Sequence, residues 1–250
     1  MKKNNRNLSI RNLHVSADGK KIVNGVSIKI KPGEIHVVMG PNGSGKSTMA
    51  QALMGHPNFK IENSKSEVCM DGVDLLNMSP DERAKNGLFL AFQHPISVSG
   101  VSVQKFLWGA YKILNPKVKN GILDFRKEME LVADKLGISK EILKRSLNED
   151  FSGGEKKRVE ILQLLMLKPK YVVLDEIDSG LDVDAIKVVA DGVRRAMNEM
   201  GAGVLLITHY QRILEFICPD FVHMLIDGKI VKSGGMELVE EIEKNGYEIN

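Results

Sequence analysis

Hydrophobic and polar positions along the chain change period several times, and the changes mark out elements. Positions 8–15 alternate loosely, and 22–30 are rich in Val and Ile. Both read as strands, with Asn24-Gly25 as a turn inside the second. After Lys31-Pro32-Gly33 the run 35–39 is mostly apolar, as in a parallel strand buried on both faces. A glycine-rich loop, 40–45, leads into a helical stretch over 46–54 with Gly55 as its C-cap. Positions 67–70 and Leu75 read as β structure around an Asp71-Gly72 turn, and 88–92 as a short apolar strand.

From about His94 to Asp150 the texture becomes helical. Helices are expected over 102–114 and 124–136, the second with Phe125, Met129, Val132 and Leu136 at helical spacing and with Pro116 and Asn120-Gly121 in the loop before it. Strands and helices then alternate: helix 153–167, strand 171–174, helix 182–200, strand 203–208, helix 211–217, strands 221–226 and 229–231, and helix 237–244. That alternation predicts an α/β architecture with a parallel sheet covered by helices. The arrangement expected is a single domain, 1–250, with a core from 1–93 and 151–250 and a helical insertion over 94–150.

Composition narrows the function. The chain has 250 residues, 43% hydrophobic and 27% charged, which excludes wholesale disorder. No apolar run approaches the roughly 18 residues of a membrane span, so no direct membrane insertion is expected. Net charge is +3 and aromatics are 5%, which argues against a nucleic-acid partner. Cys69 and Cys218 stand alone, so neither a disulfide framework nor a zinc site is expected and a reducing, cytoplasmic setting follows. Residues 1–6 are basic with no apolar stretch behind them, unlike a secretory signal, and 1–7 read as a mobile tail.

The strongest chemical signal is Gly40-Pro41-Asn42-Gly43-Ser44-Gly45-Lys46-Ser47, followed by Thr48. It is a complete G-x-x-x-x-G-K-[ST] between a strand and a helix. The glycines let successive N–H groups turn inward around phosphate oxygens, and the helix start adds its positive end. Lys46 is expected on the β- and γ-phosphates of ATP and Ser47 on Mg²⁺. The apolar run Tyr171–Leu174 ends in Asp175-Glu176, which places two carboxylates at the sheet's ligand-binding edge. Asp175 is expected to bind Mg²⁺ through water, and Glu176 to polarise the attacking water.

Phe151-Ser152-Gly153-Gly154-Glu155 precedes that strand by about twenty residues. With the phosphate loop and the Asp-Glu strand, it resembles the signature of the ATP-binding-cassette ATPases, usually Leu-Ser-Gly-Gly-Gln. The resemblance implies a P-loop fold with a mixed sheet core, an N-terminal antiparallel β subdomain and an inserted helical subdomain. It also implies an ATP-dependent homodimer in which Ser152, Gly153 and Gly154 cap the γ-phosphate held by the other protomer. The residues also fit an ordinary capping box, in which Glu155 turns back to its own helix.

By the same resemblance Gln93 corresponds to the Q-loop residue touching Mg²⁺ and water. Ser179-Gly180-Leu181-Asp182 corresponds to the D-loop, and His209 to the histidine that binds the γ-phosphate. One departure stands out. The family stacks adenine on a Tyr in the first hairpin, whereas 14–18 hold no aromatic, leaving His14, Val15 and Val23 as expected base contacts.

Finer detail narrows the likeness. Phe151–Arg158, Asp178–Asp182, 187–193 and 208–214 resemble the SufC-type cassettes of the SUF iron–sulfur assembly system, and the likeness runs from about Leu8 to Tyr247. It implies two copies attached to SufB- and SufD-like scaffold proteins. A partner helix is expected in a groove running from Phe92 to Leu107, with His94, Pro95, Val98, Val101 and Phe106. The alternatives are the ATPase subunit of a membrane transporter and a non-hydrolysing nucleotide switch, the latter opposed by Glu176. Lys156-Lys157-Arg158 reads as a solvated helix face.

Overall fold

The computed structural model describes residues 6–118, 121–209 and 211–247. Most of the expected N-terminal tail, together with Asn120 and Tyr210, lies outside them.

Two sheets share the work. In the first, β1 (Leu8–Ala17) pairs antiparallel with β2 (Lys20–Ile30), with β4 (Lys60–Ile61) and with β5 (Glu67–Met70). Strand β5 turns back into β6 (Val73–Asp74) through Asp71-Gly72. The β1–β2 turn falls at Asp18-Gly19, both at positive φ, and not at Asn24-Gly25. Gly25 instead takes its φ of +85° inside β2, opposite the register shifts of β1, so the Asn-Gly pair serves an irregularity within the ladder. The alternation of β1 and β2 puts Leu8, Ile10, Leu13, Val15, Val23, Val26 and Ile28 into one core.

The second sheet has the order β13-β12-β3-β11-β10-β7: β13 (Lys229–Gly234), β12 (Phe221–Ile226), β3 (Ile35–Met39), β11 (Gly203–Ile207), β10 (Tyr171–Asp175) and β7 (Leu88–Ala91). The five strands from β12 to β7 are parallel and β13 is antiparallel at the edge. Strands β3, β10 and β11 are buried at every position, which is why they read as apolar runs broken only by His36 and the terminal Asp175.

Helix α1 (Lys46–Met54) packs on one face, with Met49, Ala50 and Leu53 buried, and ends on Gly55 in the left-handed region. Helices α6 (Gly153–Leu167) and α7 (Val183–Met200) cover the other, with α8 (Leu214–Ile217) and α9 (Met236–Asn245) beside them. The helix expected over 211–217 is only its last four residues.

Between β7 and α6 lie β8 (Val98–Ser102), α3 (Val103–Leu114), α4 (Ile122–Lys135), α5 (Lys140–Lys144) and β9 (Ser146–Leu147), with β8 and β9 paired. Phe125, Met129, Ala133 and Leu136 of the α4 segment join Val103 and Leu107 in the same core as α6 and α7. The pattern above passes over α2 (Pro80–Asn86), although its signals are present: Ser79 and Glu82 form a capping box, Pro80 opens the helix and Gly87 closes it. Asn7 is no tail residue: it is buried, and its carbonyl accepts the Asp71 N–H at 2.9 Å.

Candidate active site

The phosphate loop links β3 to α1 and its shape rests on glycine. A Cβ at Gly40 would collide with the Leu225 carbonyl oxygen of β12, and Gly45 sits at φ +102° to start α1. Lys46 is 4% exposed, and its Nζ donates to the carbonyls of Gly40 (2.8 Å) and Pro41 (2.9 Å). Burial pushes its pKa down, while Glu176 and Asp175 oppose that shift.

Asp175 ends β10 directly behind this loop. Ser47 Oγ donates to its Oδ1 at 3.0 Å, and its buried Oδ2 has no hydrogen-bond partner. Burial raises the Asp175 pKa to about 6. A carboxylate with one oxygen unsatisfied beside a serine hydroxyl has the donor set that a hard divalent cation takes.

Glu176 follows with φ +46°, a conformation non-glycine residues adopt at a cost of about 1–3 kcal/mol. Two hydrogen bonds hold it there. Its N–H donates to Ile207 O at 2.9 Å, and Gln93 Nε2 donates to Oε2 at 2.6 Å. His209 Nδ1 lies 3.4 Å from Oε1. Below them Thr208 Oγ1 donates to the buried Asp178 at 2.7 Å, fixing the start of the turn that carries Ser179.

One cavity of about 610 Å³ therefore gathers Asn42, Gly43, Gly45, Lys46, Ser47 and Thr48 with Gln93, Glu176, Ser179 and His209. The fold thus assembles, from four separate stretches of chain, most of the residues that the sequence proposes for one site. Ser152, Gly153 and Gly154 are elsewhere, at the N-terminus of α6. Ser152 and Gly153 are exposed there. Glu155 turns back as expected: its carboxylate accepts the Ser152 N–H at 2.7 Å, and Ser152 Oγ accepts the Glu155 N–H at 3.3 Å.

Three expectations need correction. The base contacts do not face the site: Val15 and Val23 are buried between the sheets, and His14 Nε2 meets Asn12 Oδ1 at 3.2 Å. A second cavity of about 580 Å³ adjoins the first through Ile22 and Gly43, with Asp18, Lys20, Lys21, Asn24 and Asp227 around it and no aromatic among its described residues. The groove beside Phe92 also differs. Leu107 is fully buried, and His94, Pro95, Val98 and Val101 lie outside the groove. Its walls are Phe89, Phe92, Phe106, Ala110, Ile113 and Leu167, with α2 at one side. Finally, Lys157 is no part of a solvated face. It is 5% exposed and pairs with the equally buried Glu160 at 3.2 Å. Nothing local in the sequence marks this burial, because it depends on the end of β7 that α6 crosses.

The ABC transporter family profile matches residues 23–179. Vegetative protein 296 of Bacillus subtilis is 49% identical over 245 residues, covering 96% of this chain and 92% of that protein. A probable ATP-dependent transporter of Synechocystis is 49% identical over 244 residues, covering 96% and 94%. Among solved structures, a nucleotide-free ATP-binding cassette from an ABC transporter superposes with a TM-score of 0.76 at 25% identity, covering 96% of each chain. No described helix is long and apolar enough to cross a membrane. With a phosphate loop, paired carboxylates and a signature helix in one fold, the chain belongs to the ATP-binding-cassette family as an ATP hydrolase, and its resemblance within that family is to the SufC-type members.

Proposed function

We propose that the chain hydrolyses ATP between two copies of itself and that closure of this dimer drives rearrangement of a cytoplasmic iron–sulfur cluster assembly complex through SufB- and SufD-like scaffolds. The observation that carries the hydrolytic part is the placement of Glu176. Its carboxylate is held by Gln93, with His209 Nδ1 3.4 Å away, at the mouth of the cavity that Lys46 and Ser47 line. A carboxylate so placed takes the proton of the attacking water as general base, with Gln93 and His209 fixing its direction. Lys46 offers a point charge and the loop N–H groups a cradle to the phosphates. Ser47 and Asp175 would hold Mg²⁺, which supplies positive charge to the β- and γ-phosphates when bound. The nucleoside extends into the adjoining polar cavity past Ile22.

The shared-site reading follows from position. Ser152 and the N–H groups opening α6 form an exposed helix start, suited to an anion, that does not line the chain's own cavity. A second copy brings that start to the phosphates. The scaffold part is supported by the resemblance of Phe151–Arg158 and Asp178–Asp182 to SufC-type cassettes, and by the apolar groove beside Phe92. The Synechocystis relative is named a transporter, so a membrane partner is the competing reading.

Two measurements separate these readings. Glu176→Gln is expected to keep ATP binding, lower phosphate release by about 10²–10⁴-fold and accumulate a dimer in ATP. An unchanged rate removes Glu176 from its role. Affinity capture of the native complex, with and without detergent, identifies the partner. Recovery of scaffold proteins without detergent supports the assembly role, and a partner that requires detergent overturns it.

A further inference from the structure

Strand β7 ends at Ala91, so the main chain of Phe92 and Gln93 leaves the sheet without ladder partners. Two side chains of α6 take their place. Lys157 Nζ donates to the carbonyls of Phe92 (2.7 Å) and Gln93 (3.0 Å) and pairs with Glu160. Glu160 Oε1 accepts the Phe92 N–H at 2.9 Å. The three donors of the ammonium are all engaged, and Phe92 is gripped through both its N–H and its C=O.

Such a pair is a poor choice for stability alone. Burying two charges costs several kcal/mol per ion, and apolar side chains of similar volume serve packing as well or better. What the pair offers is direction: it fixes the peptide on either side of Gln93, whose side chain reaches Glu176 at 2.6 Å. The same helix begins at Ser152–Gly154, about 9 Å along the axis from Glu160 at 1.5 Å per residue. One rigid element therefore touches the γ-phosphate cap of one composite site and the glutamine of the other.

We propose that Lys157 and Glu160 are positioning residues for Gln93 and couple the outward N-terminus of α6 to the Glu176 carboxylate of the same chain. This rests on the hydrolytic reading above, in which Gln93 orients Glu176. A shift of α6 when its N-terminus meets a phosphate moves the Phe92–Gln93 backbone with it, because the hydrogen bonds leave it no separate freedom.

The test is a double-mutant cycle on the full-length chain, read as kcat and KM for ATP and as Tm. Glu160→Gln is expected to lower kcat about 10- to 100-fold, the scale of a misplaced catalytic group, with KM nearly unchanged and Tm lowered, because it leaves Lys157 as a buried charge without its partner. In a Gln93→Ala background the same change is expected to cost less than about twofold, since the group being placed is gone. Lys157→Met/Glu160→Leu, which keeps the volume and removes the charges, is expected to show the same kcat loss with a lowered Tm, since the Phe92 N–H and the carbonyls of Phe92 and Gln93 lose their partners. Equal losses in both backgrounds overturn the coupling and leave the role of Gln93 intact. So does full activity in the apolar double variant. An unaffected kcat in Gln93→Ala alone overturns the reading of Gln93 itself.

Discussion

Asp175 carries a cost that its position explains. The carboxyl titrates near 3.8 in an open chain and near 6 here, with burial as the largest cause. Between those values the native state binds more protons than the unfolded one. Stability therefore declines as pH rises through that window, and the full cost is present above about pH 6. Asp175→Asn is expected to stabilise the magnesium-free protein at pH 7.5 by about 1–3 kcal/mol, with the difference vanishing near pH 4. Thermal unfolding across that range checks it. Magnesium is expected to raise the Tm of the wild type and to have little effect on the variant, since binding to the native state alone stabilises it. A variant less stable than wild type at pH 7.5 would show that the hydrogen bond from Ser47 outweighs the buried charge.

At the scale of elements, the groove between α2, β7, α3 and the end of α6 is the surface to examine. Ile113 is 62% exposed on α3, facing solvent where Leu107, one and a half turns earlier, is buried. An apolar side chain so exposed beside Phe89 and Phe106 marks a contact surface more readily than a core. Ile113→Glu is expected to abolish capture of the scaffold partner with ATP binding and Tm unchanged. If Tm falls by more than a few degrees, the residue belongs to the packing of the helical region and loss of the partner is secondary. Helix α6 shows a related point. Its N-terminus was legible from Ser152 and Glu155, because a capping box is local. The burial of Lys157 was not, because it depends on the strand end that α6 happens to cross.

For the whole molecule, the proposed shared site makes hydrolysis a property of two copies, because Ser152–Gly154 do not line the chain's own cavity. ATPase activity per chain is expected to rise with protein concentration, and again when a scaffold holds two copies together and raises their effective concentration. Lys46→Ala mixed with Ser152→Ala gives a direct check. The mixed dimer has one composite site with both lesions and one with neither, so activity is expected to return on mixing. Linear concentration dependence with no recovery would place hydrolysis within a single chain.

The sequence by itself determined the elements whose signals are local. The phosphate loop could be read because eight consecutive residues carry its geometry, and β3, β10 and β11 because burial on both faces leaves a nearly continuous apolar run. The order of Gln93, Ser152, Glu176 and His209 could be read only through likeness to a family, since nothing in their spacing brings them together. Tertiary structure decided the rest. It set the hairpin turn at Asp18-Gly19 and left Asn24-Gly25 in a strand, because pairing across β1 outranks a two-residue turn preference. It buried Val15 and Val23 away from the phosphate-loop cavity and formed the groove from α3 and α6 instead of from 94–101. It also turned Lys157 inward to the end of β7. Each depends on which distant segment lies across a given side chain, and that is fixed by packing the whole core at once.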